Sequence, residues 1–338
     1  MRAYVITKGC TSLEGIRSTT RPDPQAGAGQ IQVRMRAAAL NYRDLMVARG
    51  MYIGGPLSAD TIALSDGAGE VTAIGPGVTR FRVGDRVAGT FFRGWQDGPA
   101  PGDPMVALSA PPADGVLAEP VLFDEQDAVA VPAHLSMEAA ATLPCAGVTA
   151  WHALIENGRV RPGETVLIIG TGGVSMFALQ FARLAGARVV VISSSEEKLQ
   201  RVRAMGAEGT INYKATPDWE RAVLAFNNGR GADHIIEVGG AGTLARSVAC
   251  VAPGGCIALI GAVSGFGAEI NPFGLLGKQA GIRGVYVGSR GHFERMNAAI
   301  ASHKLEPVID KVFAFDDAPA AFHHLAQGLH LGKVVIRL

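Results

Sequence analysis

The sequence carries almost no net charge, few aromatic residues, few cysteines and no long hydrophobic run, and each shortage removes a class of protein. Thirty-one Lys and Arg stand against 30 Asp and Glu, a formal charge of +1. No strong field of either sign results, which argues against nucleic acid or an anionic membrane as the main partner. The four cysteines, Cys10, Cys145, Cys250 and Cys256, form no C-x-x-C pair and are too few for a disulfide framework. The opening MRAYVITKGC has no apolar signal core, and no apolar stretch reaches the roughly 18 residues of a membrane span. A cytoplasmic location is the expectation that remains.

What the chain has instead is glycine, 44 residues of it in 338, much of it between short runs of Val, Ile and Ala. That texture fits an α/β protein with tight turns, and the length suits two domains. Residues 1–120 read as short strands, among them 31–37, 69–74 and 85–88, cut by turns such as Gly75-Pro76-Gly77. They predict an all-β, partly closed domain. The Pro-, Gly- and Asp-rich stretch 95–115 has no period and reads as a mobile loop. An Ala-rich helix follows over 137–143, with Ser136 as its N-cap and Glu138 in its first turn. From Thr165 to Val287, six strand-like runs (166–169, 188–192, 209–212, 234–238, 256–260 and 281–287) alternate with helical segments, the pattern of a doubly wound parallel sheet. After Gly291 the chain reads helix, strand, helix and a last strand over 333–338.

The most informative motif is strand 165–169 running into Gly170-Thr171-Gly172-Gly173-Val174-Ser175 and then an amphipathic helix. Small residues let backbone approach a pyrophosphate, and the free N–H groups of the helix start attract it. Ser175 stands where a third glycine is usual. The second strand ends in Ser193-Ser194-Ser195, where NAD-specific sheets place a carboxylate for the ribose 2′-hydroxyl. Hydroxyls at Ser193 and Ser194, with Lys198 a turn later, suit a 2′-phosphate, so NADPH is expected over NADH. Ser194 is also readable as a helix cap closed by Glu197, with Lys198 merely solvated. The two roles are compatible.

These segments occur in order with Asn41-Tyr42-Arg43-Asp44, Val83-Gly84-Asp85-Arg86-Val87, the run 143–151 (LPCAGVTAW), Gly206-Ala207 and Leu331-Gly332-Lys333. Over nearly its whole length the chain resembles the medium-chain dehydrogenase/reductases, nearest their zinc-free quinone oxidoreductase branch. The resemblance implies a GroES-like, β-rich catalytic domain from residues 1–125 and 288–338, and a Rossmann domain, a doubly wound parallel six-stranded sheet, from 126–287. It implies a substrate in a cleft between the two. Zinc alcohol dehydrogenases of this superfamily hold the catalytic metal with Cys, His and Cys beside a Glu. The corresponding residues here are Asn41, Ser65 and Cys145, with Asp66 for the Glu. One thiol, one amide and one hydroxyl do not make a zinc site, and the stretch 95–115 lacks the four cysteines of the structural lobe. No metal is expected, and Cys145 reads as a small packed residue.

Zinc-free members mostly reduce quinones, enones or enoyl thioesters, where charge spreads over an extended acceptor and a few hydrogen-bond donors suffice. Candidate donors are Asn41, Tyr42, Arg43 and Tyr52, although Asn41 and Asp44 could equally tie a loop to the cofactor and Tyr42 simply pack. The family pattern places Thr149, Tyr213, Val238, Gly239, Ala262, Val263, Tyr286, Val287 and Lys333 near the cofactor. It also implies a homodimer through the last Rossmann strand. The histidines 134, 152, 234, 323 and 324 show no ligand spacing. Two other readings remain open: a zinc-independent alcohol dehydrogenase or carbonyl reductase, and a non-catalytic NADPH-binding protein of crystallin or sensor kind.

Overall fold

The computed structural model describes residues 1–101, 106–267 and 269–338. They divide into two compact units, Met1–Val148 with Gly288–Leu338, and Thr149–Val287.

The first unit is built around a seven-stranded sheet whose centre is the long strand Gln30–Leu40. Its first half alternates as a half-buried strand should, with Ile31, Val33 and Met35 turned into the core. Its second half, Ala37 to Leu40, is buried on both faces. Small side chains are needed there because the helix Met137–Ala141 lies against this strand and against Asp66–Ile74. That packing corrects the boundary near residue 125: residues 126–148 were expected with the Rossmann domain and instead belong to the first unit. The C-terminal strand Lys333–Arg337 runs antiparallel beside Gln30–Leu40, with Val334 opposite Leu40, and parallel to Ile309–Ala314. Residues 102–105 of the expected loop 95–115 lie outside the described residues. On either side of them Phe92–Arg93 pairs with Val106–Ala107, while Trp95 and Leu108 are buried, so these flanks are packed rather than mobile.

The second unit holds six parallel strands in the order Gly209–Asn212, Arg188–Ser193, Thr165–Ile169, Ala232–Glu237, Val251–Leu259 and Gly281–Gly284. Thr165–Ile169 is buried throughout and Arg188–Ser193 nearly so, as expected of strands covered on both faces. Three edges differ from the expected runs by two residues or more. Ala232–Glu237 and Val251–Leu259 begin earlier, and the last strand stops at Gly284. Beyond it Val285 still donates to the Leu259 carbonyl, but Val287 takes a left-handed φ of 55° and leaves the sheet. A β-branched residue is strained there.

Candidate active site

In the first unit, buried charge collects where the helix Tyr42–Ala48 begins. Asn41 is its N-cap, and the Asn41 N–H donates to Asp44 Oδ2 at 2.7 Å. Arg43 donates to Asp44 Oδ1 at 3.3 Å and to the Leu108 carbonyl at 2.9 Å, and its guanidinium lies 4.5 Å from the Tyr52 ring centre. Burial alone would pull the Arg43 guanidinium down, yet Asp44 and Tyr52 hold it above its ordinary value. Burial pushes the Asp44 carboxyl up to about 6, with Arg43 and the Asn41 N–H pulling the other way.

A second carboxylate, Asp66, is fully buried close by. It accepts from Ser65 Oγ at 2.7 Å and from the Cys145 N–H at 2.9 Å. Burial raises its pKa, while Lys333, Asn41 and Ser65 lower it. Lys333 is 2% exposed and donates to the Leu40 carbonyl at 2.6 Å and to Asn41 Oδ1 at 2.5 Å. Its ammonium thus serves a turn of its own unit, whereas the family pattern placed this residue near the cofactor. Asn41 Nδ2 is near enough to Asp66 to favour its charge but lacks hydrogen-bond geometry, leaving a buried donor without a partner. Burial, then Asp66, pushes the Cys145 thiol well above its ordinary range. Of the four candidate donors, Asn41, Arg43 and Tyr52 belong to this cluster or touch it; Tyr42 is 43% exposed.

In the second unit, Gly170 (φ 76°) makes the turn after the first strand and donates to the Ile192 carbonyl at 2.8 Å. Ser175 Oγ donates to the Ile169 carbonyl at 2.9 Å, so the residue at the third-glycine position pins helix to strand. A Cβ placed on Gly172 would meet nothing within 4 Å. This open backbone at the start of the helix Gly173–Leu184 fits a dinucleotide pyrophosphate. Gly173 and Val174 open that helix, and Thr171 is buried beside them. At the next strand end Ser193 is buried, and its hydroxyl lies 3.5 Å from the Ser195 N–H. The helix cap is Ser195, which accepts from the Lys198 N–H, and not Ser194 as the capping reading had it. Ser194 and Lys198 are half-buried.

The loops after the fourth and fifth strands are fastened together. Val263 N–H donates to the Val238 carbonyl, and both the N–H and the hydroxyl of Ser264 donate to the Gly239 carbonyl. Beneath them Glu237, fully buried, accepts from the Gly239 and Gly240 N–H groups, from Thr243 Oγ1 at 2.6 Å and from Ser247 Oγ at 2.5 Å. The sequence reading missed Glu237; an acid directly after the apolar pair Ile235-Ile236, at the end of the strand ADHIIE, was its signal. Ala262 lies in the fastened loops, Thr149 is buried, and Tyr213, Val263 and Tyr286 stay exposed. His152 Nδ1 lies 2.7 Å from the Val287 carbonyl, which can only accept, so this nitrogen carries the proton and the bond supports the strained residue. Burial lowers the His152 pKa. Four further histidines singled out in the sequence likewise meet protein partners: His134 the Leu305 carbonyl, His234 Glu164, His323 Glu14 and His324 Asp310.

Family models for the alcohol dehydrogenase GroES-like domain and for the zinc-binding dehydrogenase match residues 27–133 and 173–302. A zinc-type alcohol dehydrogenase-like protein of Schizosaccharomyces pombe is 40% identical over 99% of both chains. The chain belongs to the medium-chain dehydrogenase/reductase superfamily. A solved structure of a candidate alcohol dehydrogenase from Sinorhizobium meliloti 1021 is 42% identical with a TM-score of 0.92, covering 100% of both chains. A solved NAD-dependent alcohol dehydrogenase is 32% identical at a TM-score of 0.91, again over 100% of both. Members of this superfamily are NAD(P)-dependent oxidoreductases, and this chain is one. Its donor set does not fit the superfamily's zinc. By the family's pattern Asn41 and Ser65 stand at ligand positions with Cys145, one amide and one hydroxyl beside one thiol, and no cluster of three or more His, Cys, Asp or Glu suited to a metal exists among the described residues.

Two outcomes are expected. Gly172→Val should fold, since a Cβ there has no protein atom within 4 Å, and should abolish dinucleotide binding measured by fluorescence titration; undiminished affinity in the folded variant would make the loop a mere turn. The raised Asp44 pKa means the folded chain binds that proton more tightly than the unfolded chain. The resulting stability is fully present below the ordinary value of 3.8 and is lost as pH rises through about 6. In urea titrations, wild type should therefore lose stability relative to Asp44→Asn between about pH 4 and about pH 7; a constant difference would contradict this.

Proposed function

We propose that the protein is a zinc-independent, NADPH-dependent reductase of quinones, enones or related activated double bonds. The observation that carries this reading is the cluster at the zinc-ligand positions. It lacks a metal's donor set and holds instead a buried Asn41 Nδ2 with no partner. A buried unpaired donor costs about 1–3 kcal/mol, which an acceptor oxygen placed against it would relieve. When bound, the reduced nicotinamide would supply a hydride, two electrons with one hydrogen nucleus, and a solvent proton would complete the reduction. Negative charge would develop on the acceptor's oxygen, to which Asn41 Nδ2 would donate. An extended acceptor spreads that charge, so one or two neutral donors can replace a Lewis acid. Arg43, bound to Asp44 and to the Leu108 carbonyl, holds Tyr52 under its guanidinium and shapes the wall of the cluster.

The strand end at Ser193–Ser195 supports NADPH, because hydroxyls stand where a carboxylate would hold the 2′-hydroxyl, and Lys198 follows one turn on, with Glu196 and Glu197 between. The alcohol dehydrogenase names of the relatives favour a second reading, carbonyl reduction without zinc, which differs only in the acceptor. We also read the edge strand Gly281–Gly284, with exposed Phe273 and Leu276 in the segment before it, as the seam of a homodimer. No helix among the described residues is long and apolar enough to cross a membrane.

The deciding experiment is an NADPH-oxidation assay over quinones, enones, enoyl thioesters and aldehydes, with metal analysis of protein purified without chelator. Turnover of the conjugated acceptors by metal-free protein is expected. Activity that requires one bound zinc per chain would refute the reading. For the cofactor, Lys198→Ala should weaken NADPH by roughly ten- to a hundredfold, a charge-assisted bond being worth about 1.5–3 kcal/mol, and leave NADH nearly unchanged. Equal weakening of both would exclude a 2′-phosphate contact.

A further inference from the structure

We propose that Lys333 is a positioning residue that fixes the orientation of the Asn41 carboxamide, so that the NH2 group and not the oxygen faces the acceptor. The inference rests on the reading that Asn41 Nδ2 donates to the substrate.

The argument begins with backbone. Gly332 takes a φ of 84°, and a Cβ there would lie 2.3 Å from the Val308 carbonyl oxygen, so only glycine allows this approach. The Lys333 N–H then donates to that same carbonyl at 3.0 Å, which sets the start of the last strand beside the end of Gln30–Leu40. The Lys333 side chain is thereby delivered to the Leu40–Asn41 junction, where it is 2% exposed.

A lysine ammonium has three donors and no acceptor. One donor meets the Leu40 carbonyl at 2.6 Å and another meets the Asn41 side chain at 2.5 Å. The atom facing it in Asn41 must therefore be the oxygen. An asparagine amide is nearly symmetric in shape, and only its partners decide which end is which. With Oδ1 held by Lys333, Nδ2 is turned the other way, on the side of the Asp66 carboxylate but without a hydrogen bond of normal geometry to it. Were the amide to flip, its oxygen would face a developing negative charge and repel it. The same ammonium offsets the buried Asp66, whose carboxyl is held down most strongly by Lys333. A cation thus sits in the cluster that zinc relatives use for a metal, but it acts through Asn41 and does not touch the substrate.

The test is a double-mutant cycle on kcat with Lys333→Met and Asn41→Ala, measured on whichever acceptor the wild type reduces fastest. Asn41→Ala should lower kcat by roughly a hundredfold, as loss of one oxyanion donor does. Lys333→Met should lower kcat by roughly tenfold or more with dinucleotide affinity little changed, and should have almost no further effect in the Asn41→Ala background. If Asn41→Ala leaves kcat intact, the assignment of Asn41 as donor fails. If Asn41→Ala is harmful but the Lys333→Met effect is equally large in both backgrounds, or falls on dinucleotide affinity alone, only the role given to Lys333 fails. Should Lys333→Met not fold, adding Asp66→Asn removes the carboxylate left unbalanced and the cycle is run in that background. If that variant does not fold either, Lys333 serves the fold and the proposal is overturned.

Discussion

Taking an ion out of water costs several kcal/mol even after the surroundings relax, so buried charges must come in balanced sets. The first unit meets that constraint with two cations, Arg43 and Lys333, and two carboxylates, Asp44 and Asp66, all buried. Its strands are arranged around this requirement. Lys333 arrives on the last strand, Asp66 starts the strand beside Gln30–Leu40, and Asn41 stands where that central strand gives way to a helix. The alanines at 37–39 and in Met137–Ala141 let a helix close over the sheet, bringing the Cys145 N–H to Asp66. Removing any one of the four charges would leave another unmatched in the interior.

The dinucleotide unit solves a similar problem without a cation. Glu237 is surrounded by two backbone N–H groups and two hydroxyls, enough donors to hold a buried carboxylate by hydrogen bonding alone. The loops after the fourth and fifth strands thereby become one piece of backbone at the carboxyl end of the sheet, where such folds bind their ligands.

How much of this could be read from the sequence follows from how local each feature is. The glycine loop was legible because strand, turn and helix start are contiguous, and Gly172 needed no partner to be interpreted. The six parallel strands showed as apolar runs for the same reason. Ser194 was taken for the cap because three serines in succession give no local means of choosing, and the first turn settled on Ser195. The domain boundary was misplaced because the packing of Met137–Ala141 depends on strands some 65 to 100 residues earlier. The pairing of Lys333 with Asn41 spans 292 residues, and no pattern in either segment announces it.

The balance of the buried cluster also bears on how a substrate finds it. Two positive and two negative charges cancel at short range, and the chain as a whole carries only +1. Little field extends beyond a Debye length of about 8 Å at physiological ionic strength, so there is nothing to gather charged molecules from a distance. Encounter is then ordinary diffusion with little dependence on added salt, and under the proposed reading selection falls on uncharged, flat molecules that can be desolvated cheaply and offer one oxygen to the Asn41 amide.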